Sequence, residues 1–398
     1  MRTPSSRELA RLWDTHAAAW RNPAAVASLW CDAAVDPDLL RGSASRGWWE
    51  AVEAVGATLL VTREYEHLLM ALRAGVRAPA VSFLPMPHPS GLAVDRRRSV
   101  VHVASTRNPN IVFDLEPVGS PAAPARRGGA AALPLAPVRS RFFPGSLYLH
   151  DLAFVGGALH ANAVGQNAVV RLHADGRYER VWWPRCVESP NGPRFDRNYL
   201  QLNSIAAGSR LASSFFTASA ACPSARRPGH RNFPVDGRGV VFSGASREPI
   251  AGGLTRPHSA RLHRGRIWLC NSGYGEVGFI DGDGFVAVAR LPGWTRGLCF
   301  HGEIAFVGTS RVIPRFRQYA PGIDVNASTC GVHAVDTRSG ALLGSLVWPR
   351  GNQIFAIDWL PASVASGLPF SRPGRSATNR EREIFSSFVT AGNRQRTP

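Results

Sequence analysis

Two histidines occupy equivalent positions in a repeated segment of the chain. His150 lies in YLHDLAFVGGALHANAVGQNAVVRLH, and His258 lies in RPHSARLHRGRIWLCNSGYGEVGFID. A neutral imidazole can accept a proton as a general base or bind a metal ion. His150 and His258 are therefore the candidate catalytic residues and also the candidate ligands of a single divalent metal ion.

Four other apolar segments begin with a polar residue in the same way. These residues are Ser90, Asn203, Arg296 and Gln353. If the segments are strands around one axis, their polar side chains converge in a ring at one end of that axis. Asp151 directly follows His150 and is the acidic candidate for this ring. We predict that the ring binds a ligand.

A second set of polar residues follows the apolar segments, at the turns beyond them. These residues are Asn162, Asn271, Tyr274, Glu276 and Arg311. Neighbours of this kind can tune a histidine towards acid–base work near neutral pH. We predict that they surround the ring and contribute to ligand binding.

Three functions are compatible with such a ring. It could hold a divalent metal ion for hydrolase or lyase chemistry, although Arg296 would repel the ion. It could be a metal-free pocket in which Arg296 binds the carboxylate or phosphate of a small polar or anionic molecule. It could also tie neighbouring strands together, which would leave the protein as a scaffold for a protein partner. The residues favour the small-molecule pocket.

The elements that position these residues follow from an internal repeat. His150 aligns with His258, and a slip of one residue then places Asn162 against Asn271. Each copy contains an apolar strand, a tight turn at glycine, a second apolar strand, a polar turn and a third strand. Repeats of roughly fifty residues with this pattern are typical of four-stranded propeller blades.

Six inner strands of this kind predict an all-β fold, a six-bladed β-propeller over residues 57–362. Residues 58–84 contain three strand-like runs with no inner strand before them, whereas few such runs follow the last inner strand at 353–359. We therefore predict that the N-terminal strands complete the blade that the C-terminal strand begins. This closure removes the exposed edges of an open sheet.

Three segments outside the repeats have a different composition. Residues 1–56 show helical spacing of Leu and Trp and predict an N-terminal helical extension with two short helices. Residues 116–140 are rich in Pro, Ala, Gly and Arg and predict a disordered insertion. Residues 363–398 form a polar, arginine-rich tail that we expect to be poorly ordered.

Charge and cysteine usage exclude several classes of protein. The formal charge of +18 comes from arginine, since the chain contains no lysine, and no nucleic-acid-binding motif accompanies it. We therefore expect a solvated, arginine-biased surface and no specific nucleic-acid partner. The six cysteines are far apart, the N-terminus lacks an apolar signal core, and no run of about 18 apolar residues occurs. These features predict a cytoplasmic protein without a membrane partner.

Several passages resemble an uncharacterised bacterial family of conserved hypothetical proteins, a domain of unknown function with a predicted β-propeller fold. The passages span roughly residues 58–361 and include LYLHDLAFVGGALHANAV, RPHSARLHRGRIWLCNSGYGEVGFID, LPGWTRGLCFHGEIAFVGTSR and QIFAIDWLP. The resemblance implies the propeller architecture and no established activity. This chain differs from the family pattern in LLVTREYEHLL, where it carries Glu64 and His67.

Overall fold

The computed structural model describes residues 5, 7–8, 10–11, 33, 35–45, 47–75, 78–107, 109–119, 132–230, 232–374, 377–386 and 389–390. These residues include three α-helices, α1 (Pro37–Leu40), α2 (Trp48–Ala54) and α3 (Asn379–Ser386). Their strands are β1 (Ser43–Ala44), β2 (Ala57–Arg63), β3 (Leu68–Arg73), β4 (Ala80–Pro85), β5 (Pro89–Asp95), β6 (Val100–Ser105), β7 (Asn110–Gly119), β8 (Leu133–Phe143), β9 (Leu149–Val155), β10 (Ala158–Ala163), β11 (Ala168–Leu172), β12 (Tyr178–Trp182), β13 (Leu202–Ala206), β14 (Phe215–Ala218), β15 (Gly239–Ser243), β16 (Pro249–Leu254), β17 (Pro257–His263), β18 (Arg266–Asn271), β19 (Glu276–Asp281), β20 (Gly284–Arg290), β21 (Trp294–His301), β22 (Ile304–Ser310), β23 (Gly331–Asp336), β24 (Leu342–Val347), β25 (Ala356–Pro361), β26 (Ala365–Gly367) and β27 (Val389–Thr390).

The strands form six sheets of at least four antiparallel strands, which are the six blades of a β-propeller. The first blade is β25-β2-β3-β4, and the others are β5–β8, β9–β12, β13–β16, β17–β20 and β21–β24 in chain order. The inner strands β25, β5, β9, β13, β17 and β21 contact one another in that cyclic order, and β21 returns to β25. The predicted six-bladed β-propeller is confirmed. In this ring β9 lies opposite β21.

The first blade joins the two ends of the chain, as predicted. β25 pairs antiparallel with β2 from Ala57 opposite Pro361 to Thr62 opposite Ala356. β2 is buried along its whole length, since every one of its residues is inaccessible to solvent. The ring of blades therefore closes through backbone hydrogen bonds between residues about three hundred positions apart, which leaves no open sheet edge at the seam.

The third and fifth blades align residue by residue, without the one-residue shift that the sequence comparison predicts. β9 and β17 begin at equivalent residues, and so do β10 and β18 and the short 3₁₀ turns that follow them. Asn271 therefore aligns with Ala163, and the predicted alignment with Asn162 is wrong. The two residues share one backbone conformation, with φ −84° and ψ 77° at Asn271 and φ −89° and ψ 80° at Ala163. Each is the last extended residue before its 3₁₀ turn.

The flanking segments differ in part from the composition-based prediction. The first predicted helix lies largely outside the described residues, whereas α2 packs on the sixth blade and Trp48 is fully buried against Phe306 with ring centroids 5.9 Å apart. The insertion is shorter than 116–140, because β7 continues to Gly119 and β8 begins at Leu133. The remaining positions, 120–131, lie outside the described residues. Continuous ladder pairing of β7 with β8 decides this boundary.

Part of the predicted tail also packs on the propeller. β26 pairs in parallel with β8, and Phe370 is buried against Phe83 at a ring distance of 5.9 Å. α3 contacts β8. The apolar residues scattered in this polar segment give it enough buried surface to be held. No helix in the described part of the chain is long and apolar enough to cross a membrane.

A buried charge cluster ties the strands of the second blade together. Asp114 is fully buried on β7 and pairs with His102 Nδ1 and Arg141 Nη2 at 2.6 Å each, and with Arg139 at 2.7 Å. Burial alone would raise the pKa of Asp114, but His102 and the two arginines lower it to about 2. The folded state therefore stabilises the carboxylate.

Asp114→Asn should destabilise the protein by about 3 kcal/mol at neutral pH, because it leaves Arg141 buried without its counter-ion. Urea unfolding measures the loss. Since the folded pKa of Asp114 is lowered to about 2, this stabilisation is present above about pH 4 and disappears as pH falls towards 2. Asp175→Asn is the matched control, because Asp175 and Arg177 form a solvent-exposed pair whose loss should change the unfolding free energy far less. Equal losses in the two variants would contradict the prediction.

Candidate functional site

A cavity of about 260 Å³ opens at the end of the propeller where the inner strands begin. Its wall combines arginines, aromatic rings and neutral polar side chains, with one carboxylate. The lining residues that matter below are Glu64, Tyr148, His150, Arg256, Trp294, Arg296, Arg311, Tyr319 and Gln353. A larger, more open groove of about 640 Å³ lies between the fifth and sixth blades and is lined by the ends and outer strands of those blades, including Arg266 and Arg338.

The six residues predicted to form a ring do lie at this end of the propeller. Ser90, His150, Asn203 and His258 are each the second residue of their inner strand, Arg296 is the third residue of β21, and Gln353 precedes β25. Three of them line the cavity: His150, Arg296 and Gln353. Ser90 instead donates its hydroxyl to the carbonyl of Leu149 at 3.0 Å, which ties the second blade to the third.

His150 is held in one tautomer by two hydrogen bonds. Its Nδ1 donates to the carbonyl of Asn203 at 2.9 Å, so its Nε2 must accept the hydrogen bond from Arg296 Nη2, also at 2.9 Å. Burial, and then the charge of Arg296, lower the pKa of His150 well below 6.5. His150 is therefore a neutral acceptor that positions Arg296. As a general base it would first have to release this arginine.

Arg296 crosses the channel from the sixth blade to the opposite, third blade. Its guanidinium carbon lies 3.6 Å from the ring centroid of Phe355, and its Nε is buried without a hydrogen-bond partner. Its Nη1 donates to Gln353 Oε1 at 2.8 Å, while Gln353 Nε2 donates to Glu64 Oε2 at 2.9 Å. Burial lowers the pKa of Arg296, against the attraction of Glu64. The arginine is thus fixed from both sides.

Glu64 extends this hydrogen-bond chain to the second blade, because Thr106 donates to its Oε1. Glu64 directly follows β2, and its side chain is only 3% exposed. Sequence analysis placed Asp151 as the acidic member of the ring, whereas the carboxylate on the cavity wall belongs to Glu64. A residue from the first blade becomes part of the site only through closure of the ring.

Asp151 faces away from the cavity. Its Oδ2 accepts from Arg261 at 2.8 Å and from the backbone N–H of Ile205 at 3.0 Å, and it joins the third, fourth and fifth blades. Neighbouring residues of a strand point to opposite sides, which separates Asp151 from His150. The prediction that Asp151 lies in the ring at the channel mouth is therefore wrong, because its side chain is on the other side of the strand.

His258 lies beside His150, with their ring centroids 4.8 Å apart, and both face Phe355. It is only 4% exposed, and its Nε2 has no hydrogen-bond partner in the described structure. Burial and the charge of Arg296 lower its pKa well below 6.5. We call the cluster of Arg296, Phe355 and the two histidines the floor: His150 and Arg296 line the cavity, whereas His258 and Phe355 are buried and not part of its wall.

The predicted surrounding residues separate into two groups. Arg311 lines the cavity, but its three nitrogens donate to the carbonyls of Gly351, Ser328 and Pro349. The other four, which lie outside the cavity wall, are Asn162, Asn271, Tyr274 and Glu276. Asn271 accepts from the N–H of Thr255 and donates to Glu276, and Tyr274 donates to Asp236, so these side chains stabilise turns. Both amide atoms of Asn162 are buried without partners among the described residues.

A second tier of residues lies above the floor, two positions before the ring residues. His88, Tyr148, Gln201 and Arg256 all have positive φ, at 44°, 53°, 52° and 52°. Such a backbone is uncommon for residues other than glycine and often marks a functional site. Three of the four line the cavity. The left-handed turn before the inner strand thus recurs in four blades, and in three of them it carries a side chain of the cavity wall.

Arg256 is the uncommitted cation of this tier. Its guanidinium carbon lies 4.5 Å from the ring centroid of Tyr319 and 5.9 Å from that of Trp294, and no described residue forms an ion pair or hydrogen bond with the guanidinium. Burial, and then the charge of Arg296, lower its pKa to about 10. It remains charged at neutral pH. The site residues predicted from the sequence do not include Arg256, although its alignment with Tyr148 in the repeat could have identified it.

The residues present do not fit a divalent metal ion. The structure brings no group of three or more His, Cys, Asp or Glu side chains together within the described ranges. His150 Nε2, which would have to bind the ion, already accepts from the Arg296 guanidinium. The predicted ligand pair His150 and His258 therefore offers a single free nitrogen, His258 Nε2, and lacks the anionic neighbours that hard cations prefer.

Comparison with known proteins identifies the family. Residues 46–367 match the family described as a domain of unknown function (DUF4915), and the chain belongs to this family. No curated protein matches it in sequence. A chain of the nidogen/laminin complex is similar in structure with a TM-score of 0.50 and 10% identity, and the match covers 78% of this chain and 100% of that chain.

Two enzymes of known structure are more distantly similar. A gluconolactonase from Xanthomonas campestris has a TM-score of 0.42 at 12% identity, and the match covers 74% of this chain and 86% of the enzyme. A streptogramin B lyase has a TM-score of 0.39 at 12% identity, with 74% of this chain and 76% of the lyase covered. These similarities concern the fold alone.

The stability of the protein should depend on the neutral state of the floor histidines. Because the folded pKa of His258 lies below its unfolded value of 6.5, its contribution is present above about pH 6.5 and is lost as pH falls further. His258→Gln should reduce the fall in unfolding free energy below pH 6.5 by up to roughly 1 kcal/mol per pH unit. Urea unfolding at pH 5 to 8 measures this slope.

Comparison of the variant and wild type above pH 7.5 is the internal control, because any packing loss caused by glutamine appears there without a protonation effect. If the unfolding free energy falls equally steeply below pH 6.5 in both proteins, protonation of His258 does not cause the predicted loss of stability.

Proposed function

We propose that this member of the DUF4915 family binds a small anionic molecule in the cavity at the mouth of its central channel. One observation carries the proposal. The guanidinium groups of Arg256 and Arg296 line the same cavity, and neither lies within ion-pair distance of a carboxylate in the described structure. Partly buried arginines usually have an anionic partner, and here the cavity leaves room for one from outside.

The rigidity of the floor supports this proposal. Hydrogen bonds from Arg296 to His150 and Gln353, with Phe355 beneath the guanidinium, fix its plane before any ligand binds. A positioned guanidinium loses little side-chain entropy on binding, and its planar edge matches a carboxylate or phosphate. The volume of about 260 Å³ suits a molecule of metabolite size.

The floor has a structural role beside this binding role. His150 donates to the carbonyl of Asn203 and Ser90 donates to that of Leu149, so each connects its blade to the next. The same contacts would serve a protein-interaction scaffold, which remains the second candidate function. The free donors of Arg256 favour a ligand, because a purely structural ring has no use for an uncommitted guanidinium.

A catalytic role is a narrower extension of the proposal. Of the two candidate histidines, His258 has a nitrogen without a partner, whereas both nitrogens of His150 are in use. His258 therefore has the free nitrogen that a proton acceptor needs but is not part of the cavity wall, whereas His150 lines the wall and has no free nitrogen. A cytoplasmic location is consistent with free thiols at Cys186, Cys222, Cys270, Cys299 and Cys330.

An anion screen tests the proposed function. Carboxylates and phosphates that bind the cavity should raise the melting temperature of the wild-type protein, and Arg256→Gln should weaken their binding at least tenfold, as loss of a charged hydrogen bond costs about 1.5–3 kcal/mol. Differential scanning fluorimetry followed by titration calorimetry measures both effects.

Arg338→Gln is the matched control, because Arg338 lies in the groove between the fifth and sixth blades and should not affect binding. If no anion in a broad metabolite library stabilises the wild type, or if both variants bind equally well, the proposal fails.

Elemental mass spectrometry tests the alternative of a metal-dependent hydrolase or lyase. We expect no stoichiometric divalent ion in the purified protein and no change of melting temperature with a chelator, because Arg296 occupies His150 Nε2. One equivalent of a divalent ion, lost in His258→Ala together with stability, would overturn this expectation and revive the metal site.

A further inference from the structure

The charge of the cavity wall is unbalanced. Among the described residues, four arginines line it and one carboxylate opposes them; these charged residues are Glu64, Arg227, Arg256, Arg296 and Arg311. His150 adds no charge, since burial and Arg296 lower its pKa well below 6.5. The wall therefore carries a formal excess of three positive charges, which is more than a ligand with one negative charge can neutralise.

The four arginines differ in what they can offer a ligand. Arg311 donates from all three nitrogens to backbone carbonyls, and Arg227 Nη1 donates to the carbonyl of Asn198 at 3.4 Å. Arg296 donates from Nη2 to His150 and from Nη1 to Gln353, and its Nε is buried, so the second N–H of each Nη is what it can offer a ligand. Arg256 makes no hydrogen bond or ion pair to a described residue, so none of its donors is taken up by the part of the chain that the structure describes. Two guanidinium groups, from Arg256 and Arg296, can thus approach one ligand group.

These two arginines also repel each other. Each lies in the field of the other, and no counter-ion stands between them in the described structure. The cavity wall therefore carries two like charges that act on each other, an arrangement that a doubly charged anion relieves most. A phosphoryl group concentrates two charges and three acceptor oxygens at one point, whereas a dicarboxylate separates its charges.

Aromatic rings supply the rest of the wall. Trp294 lies 6.0 Å from Phe316 between ring centroids, and Phe316 lies 5.8 Å from Tyr319, so the three rings form one continuous apolar surface. Arg256 packs at its edge, on Tyr319. Opposite the ring of His150, Tyr148 adds a hydroxyl that stays protonated, since burial and then Glu64 raise its pKa to about 12. A ligand body with a flat or apolar part fits this surface.

We propose that the ligand is an organic phosphate monoester, whose phosphoryl group binds between Arg256 and Arg296 and whose organic part lies along the Trp294–Phe316–Tyr319 wall. The inference rests on the proposed anion-binding function and specifies its ligand class. Arg256 then determines the preference for two charges over one.

Titration calorimetry with phenyl phosphate, sulfate, benzoate and succinate tests the inference on the full-length protein. Phenyl phosphate should bind at least tenfold more tightly than benzoate at pH 8. Because the second pKa of a phosphate monoester is about 6, its affinity relative to sulfate should fall roughly tenfold between pH 8 and pH 5. Sulfate keeps two charges over this range and so corrects for protonation of the protein.

Variants separate the phosphoryl contact from general charge. Arg256→Gln should abolish the preference for phenyl phosphate over benzoate, Arg256→Lys should retain part of it, and Arg338→Gln should leave it unchanged. The melting temperature without ligand shows whether each variant is folded, and Arg256→Gln should melt no lower than wild type because it removes the repulsion with Arg296.

The outcomes distinguish this inference from the proposal on which it rests. If benzoate binds as tightly as phenyl phosphate and both depend on Arg256, the anion site stands and the phosphate inference is wrong. If succinate alone among the dianions binds tightly, the ligand is a dicarboxylate and the inference is also wrong. If no anion binds, both fail.

Discussion

The guanidinium of Arg296 is the interaction on which the rest of the site depends. It spans the channel from β21 to β9, donates to His150 and Gln353, and covers the ring of Phe355. Removing it would leave His150 Nε2 and Gln353 Oε1 without their hydrogen-bond partner. Burial, and then this cation at 2.9 Å from Nε2, keep the pKa of His150 well below 6.5, so the imidazole is neutral.

This floor depends in turn on the closure of the propeller. Glu66 accepts the backbone N–H groups of Asn352 and Gln353, and so fixes the loop that brings Gln353 to Arg296. Glu64, on the same turn after β2, accepts from the side chain of Gln353. The seam between the two chain ends is therefore both the element that closes the fold and a wall of the site. Loss of pairing between β2 and β25 would disrupt both.

The two tiers of side chains at the channel mouth differ in what their polar groups contact. In the lower tier, residues such as Ser90 and His150 use their polar atoms to join neighbouring blades. In the upper tier, residues with positive φ, such as Arg256, direct their side chains to the cavity at a cost in backbone strain of roughly 1 kcal/mol or more each. The recurrence of this conformation in four blades shows that the propeller repeats a geometry, while the side chains placed on it differ from blade to blade.

The local sequence pattern determined the fold. Apolar runs, glycine turns and their repetition define the blades, because strand and turn preferences act over a few residues. Even the closure of the ring followed from the strands left over at the two ends of the chain. The same pattern located His150, Arg296 and Gln353 at the mouth. It failed for Asp151, whose side chain points to the other side of its strand, and for Glu64, which joins the site across the seam. Tertiary structure alone decided which arginine is free: backbone carbonyls accept from Arg311, whereas among the described residues Arg256 contacts aromatic rings and no hydrogen-bond acceptor. The residue type alone does not show whether an arginine has free N–H donors, because this depends on which oxygen atoms the fold brings within hydrogen-bond distance.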